Sequence, residues 1–423
     1  MTVVLAVTES DITLRPADTL SHSHPFEAPE LSIKSGSDTL IAIERASEIL
    51  RSNDVSPIIA FPTETVYGLG ADARRSDAVR AIYHAKNRPA DNPLIVHVGS
   101  LQQLRRLLFS QDVKQAILHN NDPKPDTASN PVSLSTTRQP LSDPIPSIYY
   151  PLIEKFWPGA LTIILPLPSN SIVSPLTTAG QSTLAVRLPS NPIAIALLLH
   201  SDIPLAAPSA NASTRPSPTL ARHVLHDLDG KIPLILDGGH VCDIGVESTV
   251  VDGLMRPPVV LRPGGISLEE IHALGGVWAD TVVYRKAQQD QDMDFVPRTP
   301  GMKYRHYSPN AKVALFEGYH DIEQSHLLQV LDDLCPGVEQ RTNSVGVMSS
   351  MSWQRPEFSC EYRELGRSGE QISQALFRTV RDLDGQGCKV ILLEGVQDDQ
   401  RGLAIMNRCR KMATKIYTES DRL

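Results

Sequence analysis

At 423 residues the chain is too long for one compact core and reads as two domains with connecting segments. Its 41% hydrophobic and 21% charged residues fit a soluble globular protein, and the absence of any run of 18 apolar residues excludes an integral helical membrane protein. A net charge of −8 leaves the chain as a whole without an electrostatic footprint for tight nucleic-acid binding, so any polyanion that it holds must be held by a local cluster.

The N-terminal "MTVVLAVTESDITLRPADTL" has no basic residue ahead of its apolar stretch and carries Glu9 and Asp11 behind it. That argues against a secretory signal and a mitochondrial presequence, so a cytoplasmic location is expected. Residues 1–35, rich in Ser, Pro, Asp and Glu without apolar periodicity, are expected to form a mobile arm. Order should begin at "DTLIAIERASEILRS", where Leu40, Ile41, Ile43, Ala46, Ile49 and Leu50 recur at helical spacing. The strand "SPIIAF", a helix led by Ser76, the strand "LIVHV" and the helix "SLQQLRRLLF" follow. The strands "LTIILPL" and "TLAVRLP" lead to the helix "PIAIALLLH". "SPTLARHVLHDL" predicts a helix with Ser217 as N-cap and Pro218 in its first turn. After "PLILDGG", "ESTVVDG" and "VVLRPGG", Ser267 and Glu270 predict a capping box.

The pattern is α/β: a twisted mixed or parallel sheet over residues 36–275, interrupted by a polar, Pro-rich insertion at 110–148. A linker is expected at 276–311, ending in "PGMKYRHYSP", followed by a smaller Rossmann-like parallel α/β domain over 312–423. Five scattered cysteines without a Cys-x-x-Cys pair read as reduced thiols, indicating neither a zinc site nor a disulfide framework.

Candidate chemistry is concentrated in a few stretches. Gly68 and Gly70 of "GLGADA" match a dinucleotide fingerprint, but they stand too far behind the strand and ahead of the helix for that motif, and a turn needing positive φ accounts for them better. Thr63 and Thr65 follow a strand end, where α/β proteins place ligands and also structural hydroxyls. Lys86 and Arg88, near Asn92, close a helix, as dipole-complementing cations or as an anion site. His97 interrupts an apolar strand. Arg187, amid strand residues, needs either an acidic partner or an anionic ligand to offset its desolvation. Ser209 and Asn211 lie in a small-residue loop, and Ser248 and Arg262 repeat the theme of a hydroxyl or cation at a strand edge. No Walker loop, metalloprotease helix or nucleophile elbow is present.

Together "PTETVYGL", "KNRPADNPLIVHV", "WPGALT", "LAVRLP", "PSANAS" and "GVESTVVD", in this order, resemble the threonylcarbamoyl-AMP synthases with their YrdC-like domain. The resemblance continues through "PGMKYRHYSP" into the C-terminal domain of the two-domain members. It implies that L-threonine, bicarbonate or CO2, and ATP give threonylcarbamoyl-AMP and pyrophosphate, with the product passed to a threonylcarbamoyl transferase complex that modifies tRNA. It also implies roles. Lys86, Arg88, Ser209 and Asn211 would be catalytic. Arg88, Asn92, Thr183, Ser209, Ser217, Arg262 and Tyr304 would hold ATP or the adenylate. Thr65, His97, Arg187 and Ser248 would hold threonine, and Mg2+ would enter on the ATP phosphates without a protein ligand. The insertion and the acidic stretch before the linker motif depart from the family pattern without interrupting a motif.

Two rivals remain at this level: a tRNA or double-stranded RNA binding module using the same cations, against which the net charge weighs, and an NAD enzyme built on Gly68 and Gly70. The cations and aromatics of "KYRH" are expected to fold over the site and keep water from a labile adenylate. Replacing Tyr304 with Ala should therefore raise unproductive ATP hydrolysis relative to product; unchanged coupling of ATP use to product would refute the gate.

Overall fold

The computed structural model describes residues 1–16, 24–54, 56–109, 143–284, 306–319, 323–336 and 344–421. The strands of the first domain are β1 (Val3–Ala6), β2 (Ile12–Arg15), β3 (Glu30–Ile33), β4 (Ile59–Phe61), β5 (Gly68–Asp72), β6 (Val96–His97), β7 (Leu161–Pro166), β8 (Thr183–Arg187), β9 (Leu205–Ala206), β10 (Leu234–Asp237), β11 (Thr249–Asp252), β12 (Val259–Arg262) and β13 (Val282–Val283). Eleven of them form one mixed sheet in the order β1-β10-β4-β5-β9-β6-β8-β7-β11-β12-β13, and β2 pairs with β3 as a separate hairpin.

Period-two alternation decides what each face meets. Ala60, Leu69, Val96, Ile163 and Val186 pack against Val79, Leu104, Leu152 and Val224 of helices on one side. Ile59 and Phe61, one step out of phase, meet Ile43 and Leu50 of the helix Asp38–Arg51 and Leu197 of the helix Pro192–Ser201. Ile41, expected on the buried stripe, is exposed.

Long-range pairing overrides several local expectations. The N-terminal segment is no mobile arm where it is described: β1 lies parallel to β10 at the sheet edge, and Thr39 ties Asp11 to the first helix (2.8 Å). Residues 110–142 of the expected insertion lie outside the described residues, but 143–148 are structural, with Ile145 buried and Asp143 accepting from Arg105. At the expected linker, Trp278 is buried in the first domain and β13 pairs with β12, while residues 285–305, including Tyr304, lie outside the described residues. Ser217 caps no helix; the helix is Ala221–Leu228, and Ser217 donates instead to Glu247. The capping box of Ser267 and Glu270 is present. Gly68 and Gly70 lie inside β5, not in a positive-φ turn. A Cβ on Gly70 would sit 2.8 Å from the Phe61 ring, so close packing is their reason, and the dinucleotide fingerprint has no structural basis.

The second domain holds β14 (Lys312–Glu317), β15 (Val345–Ser349), β16 (Glu361–Glu364), β17 (Val390–Glu394) and β18 (Lys415–Thr418), all parallel, in the order β16-β15-β17-β14-β18. It is the expected parallel α/β sheet, with β17 inserted between β14 and β15. The helix Gln324–Leu334 covers one face. The helices Gly369–Gly385 and Gln400–Met412 cover the other, and their hydrophobic cluster also takes in Val66, Val246 and Tyr307. The two domains therefore share a core.

Charged pairs cross the same boundary: Arg381–Asp227 at 2.7 Å, Arg215–Asp384 at 2.9 Å and Arg408–Glu247 at 3.0 Å. Gly245 sits against the helix Gly369–Gly385 at φ +73, where a Cβ would lie 2.4 Å from both Gln374 Cα and Ser373 O. Gly245→Ala combines left-handed strain with a backbone collision, and should destabilise the protein by about 2–4 kcal/mol in denaturant titration. A loss below about 0.5 kcal/mol, the range of neutral surface changes, would show that the interface yields freely.

Candidate active site

A cavity of about 410 Å3 is formed by the first domain's sheet and loops together with the segment that leads into β14. Thr65, Lys86, Arg88, His97, Arg187, Ser209, Asn211, Ser217, Ser248 and Arg262 line it, with His306 and Tyr307 from the segment that leads into β14. Thr183 does not; it begins the strand that Arg187 ends, about 13 Å away along β8. Asn92 is fully buried and is not a lining residue either, although neither atom of its carboxamide has a hydrogen-bond partner.

His97 and Arg187 are register partners on β6 and β8, so both project from one face while Val96 and Val186 pack into the other. Arg187 is buried. It donates Nε to Gly159 O (3.1 Å), Nη1 to Thr65 Oγ1 (2.8 Å) and Nη2 to Glu64 Oε1 (2.5 Å). Both alternatives for this arginine are thus partly realised: Glu64 is its acidic partner, and two of its five N–H donors remain. Thr65 Oγ1 is 2.8 Å from Thr63 Oγ1, and Thr63 Oγ1 donates to Val66 O (2.7 Å).

Burial, and then the nearby Arg187 charge, drive the His97 pKa down to about 3, so the imidazole is neutral. Among the described residues its Nδ1 has no hydrogen-bond partner, and neither has Glu64 Oε2 or Asn211 Oδ1. His97 and Asn211 line the cavity, so these atoms of theirs can each bond a polar ligand.

Lys86 ends the helix Ser76–Lys86, and Asn87 takes the left-handed conformation at its C-cap. The ammonium does not hang free: Nζ donates to Ser209 O and to Asn211 O (2.6 Å), fixing the "PSAN" loop and leaving one donor. Burial, followed by repulsion from Arg88, pulls its pKa well below the usual lysine value.

Also on the cavity wall, Arg262 donates Nε and Nη2 to Ser248 O (3.1 and 2.9 Å) and Nη2 to Ser248 Oγ (3.1 Å). Glu247, the neighbour of Ser248, accepts from Ser217 Oγ (2.5 Å) and pairs with Arg408. Burial alone would raise its pKa, but Arg408 first and Arg262 second hold it at about 2.

Sequence reasoning missed Glu64, Glu247 and Arg408. For the two acids the signal was present. A buried arginine demands an acceptor, and each acid lies inside a quoted motif, "PTETVYGL" or "GVESTVVD". Arg408 also gave one, because helical spacing puts it on the stripe of Ala404, Ile405 and Met412.

A family profile described as "Telomere recombination" matches residues 55–264, and one described as "Threonylcarbamoyl-AMP synthase, C-terminal domain" matches residues 266–414. A Schizosaccharomyces pombe protein named threonylcarbamoyl-AMP synthase is 52% identical over 404 residues, covering 93% of each chain. Proteins of the same name from Pyrococcus abyssi and Bacillus subtilis are each 41% identical, over 84% and 88% of this chain. The crystal structure of P. abyssi Sua5 complexed with L-threonine superimposes with a TM-score of 0.70 at 35% identity, covering 99% of both chains.

Burial dominates the low pKa values of His97 and His223, about 3, and of His306, about 4, against an ordinary 6.5. Below pH 6.5 the unfolded chain binds protons that these rings do not, so stability falls as pH drops, by about 1.4 kcal/mol per pH unit for each ring. The depressed carboxylates Asp227 and Glu247 act only lower, where ordinary carboxylates titrate, near about pH 4. Urea unfolding between pH 6.5 and 5 should therefore weaken steeply, and His223→Gln should reduce the slope by about 1.4 kcal/mol per pH unit; an unchanged slope would mean a charged, accommodated ring.

Proposed function

The chain belongs to the threonylcarbamoyl-AMP synthase family, and from that premise we propose that it makes threonylcarbamoyl-AMP and pyrophosphate from L-threonine, bicarbonate or CO2, and ATP. The observation that carries this reading is a single cavity whose lining brings together a part-satisfied arginine, Arg187, the cations Lys86, Arg88 and Arg262, and the hydroxyls of Thr65, Ser217 and Ser248.

The threonine amine and bicarbonate form a carbamate with loss of water. A carbamate oxygen then attacks the α-phosphorus of ATP as the bond to pyrophosphate breaks. Two anions must meet in line, so repulsion is the main electrostatic barrier. In this reading the two remaining Arg187 donors fork the threonine carboxylate, with Thr65, neutral His97 and Ser248 around the amino acid. Arg88, Arg262 and the last Lys86 donor face the nucleotide. Lys86 acts twice, since it also holds the carbonyls on either side of the Ser209–Asn211 loop. Mg2+ would enter on the triphosphate, whose phosphate oxygens are the hard ligands that it prefers.

The product would pass to a threonylcarbamoyl transferase complex acting on tRNA, in the cytoplasm. Among the described residues no helix is long and apolar enough to cross a membrane.

Pyrophosphate release with Mg-ATP should require both threonine and bicarbonate. Lys86→Ala should lower it by about a hundredfold, and serine, lacking one methyl, should be discriminated by about 10- to 200-fold. Release that is independent of threonine would overturn the reading.

A further inference from the structure

We propose that Arg408, a residue of the second domain, is a positioning residue for the nucleotide half of the cavity, acting through Glu247 and Pro263; this rests on the ATP-dependent reading above. Arg408 lies on the helix Gln400–Met412 and is wholly inaccessible to solvent. Its Nε and Nη2 both stand 3.0 Å from Glu247 Oε2, and Nη1 donates to Pro263 O and to Ala404 O (3.3 Å).

Each of the two first-domain partners fixes a cavity group. The other Glu247 oxygen receives the Ser217 hydroxyl at 2.5 Å. Pro263 follows Arg262 directly, so a grip on its carbonyl anchors the strand end from which the Arg262 guanidinium reaches Ser248. The Tyr307 ring, which lines the cavity, stands 5.9 Å from the Arg408 guanidinium carbon and packs on Phe377 of the second domain. One planar fork thereby fixes Ser217, Arg262 and Tyr307 together. A lysine keeps the charge but cannot reach a carboxylate and a carbonyl on opposite sides at once.

The amino-acid end is held differently. Among the described residues Arg187 bonds to Glu64, Thr65 and Gly159, all of its own domain, and Ser248 Oγ has a second support in Thr162 Oγ1 at 2.8 Å. Loss of Arg408 should therefore loosen one half of the cavity and spare the other. A residue that merely glued the domains together would weaken both halves alike.

The test is calorimetric titration of the full chain with Mg-ATP and, separately, with L-threonine, for wild type, Arg408→Lys and Arg408→Ala. Arg222→Ala serves as control, because its 3.2 Å pair with Asp382 crosses the same domain boundary without touching the cavity. We expect Arg408→Lys to weaken ATP binding by about tenfold while threonine affinity stays within about twofold, with the same split in the KM values, and Arg222→Ala to change neither. Arg408→Ala leaves Glu247 buried without its cation; if it does not fold, Arg408→Lys alone gives the answer. Parallel loss of both affinities with a lower melting temperature, or no loss of either, overturns the proposal. A wild-type protein that binds both ligands yet releases no pyrophosphate would refute the reaction while leaving the affinity split to judge Arg408, and one that binds neither would overturn both.

Discussion

A guanidinium taken out of water must carry its acceptors with it, at a cost of several kcal/mol if it does not, and the whole arrangement around the cavity follows from four such groups. Arg187, Arg262, Arg381 and Arg408 are all buried. Each draws a loop to itself: Arg187 takes the "PTET" loop through Glu64 and Thr65, Arg262 the turn at Ser248, Arg381 the segment at Pro216 and Asp227, and Arg408 the residues Glu247 and Pro263. The loops of an α/β sheet are ordinarily its most variable part. Here they are nailed down from beneath by charge pairs that apolar packing could not replace one partner at a time.

The second domain consequently backs the cavity without lining it, since the wall itself is made of first-domain residues with His306 and Tyr307. Its helices Gly369–Gly385 and Gln400–Met412 have one side on their own sheet, while Val66, Val246 and Tyr307 share their apolar cluster. Gly245 marks how closely the two bodies approach, since nothing larger than a hydrogen fits there. Such closeness buries the charged side chains at the domain boundary, where hydrogen bonds and ion pairs are worth more than in solvent. The same burial keeps His97 and His306 neutral beside their cationic neighbours.

What could be read from the sequence divides along the range of the interactions. The Ser267–Glu270 capping box and the alternation of Ile59, Ala60 and Phe61 depend on residues a few positions apart, and they appear where local pattern puts them. β1 is four residues of unremarkable composition and becomes a strand because β10 offers it an edge, which no window around Val3 could reveal. Ser217 had a good local claim to cap a helix and lost it to a carboxylate thirty positions on. In the site, most motif residues converge on the cavity because chemistry-bearing side chains clustered in short motifs at strand ends. Lys86 was legible as a cation but not as one already engaged by two carbonyls, and Arg408, four residues from Ala404 and from Met412, shares the helix's buried stripe although nothing local names its partners. Asn92 is buried in the bend ahead of β6, and Thr183 shares a face of β8 with Arg187 but stands four residues short of it, so neither reaches the lining and spacing alone fixes neither.

The pair Thr63 and Thr65 has a direction as well as a place. A hydroxyl owns one proton, and that of Thr63 is committed to the Val66 carbonyl, so the proton shared between the two hydroxyls must come from Thr65. Thr65 also receives an N–H from Arg187, which leaves its oxygen with a lone pair and nothing to give. At this point the wall is polarised: it welcomes a group that donates a hydrogen and turns away one that only accepts. An amino acid laid here has its orientation chosen in part by the bookkeeping of a single proton, settled two residues earlier in the chain.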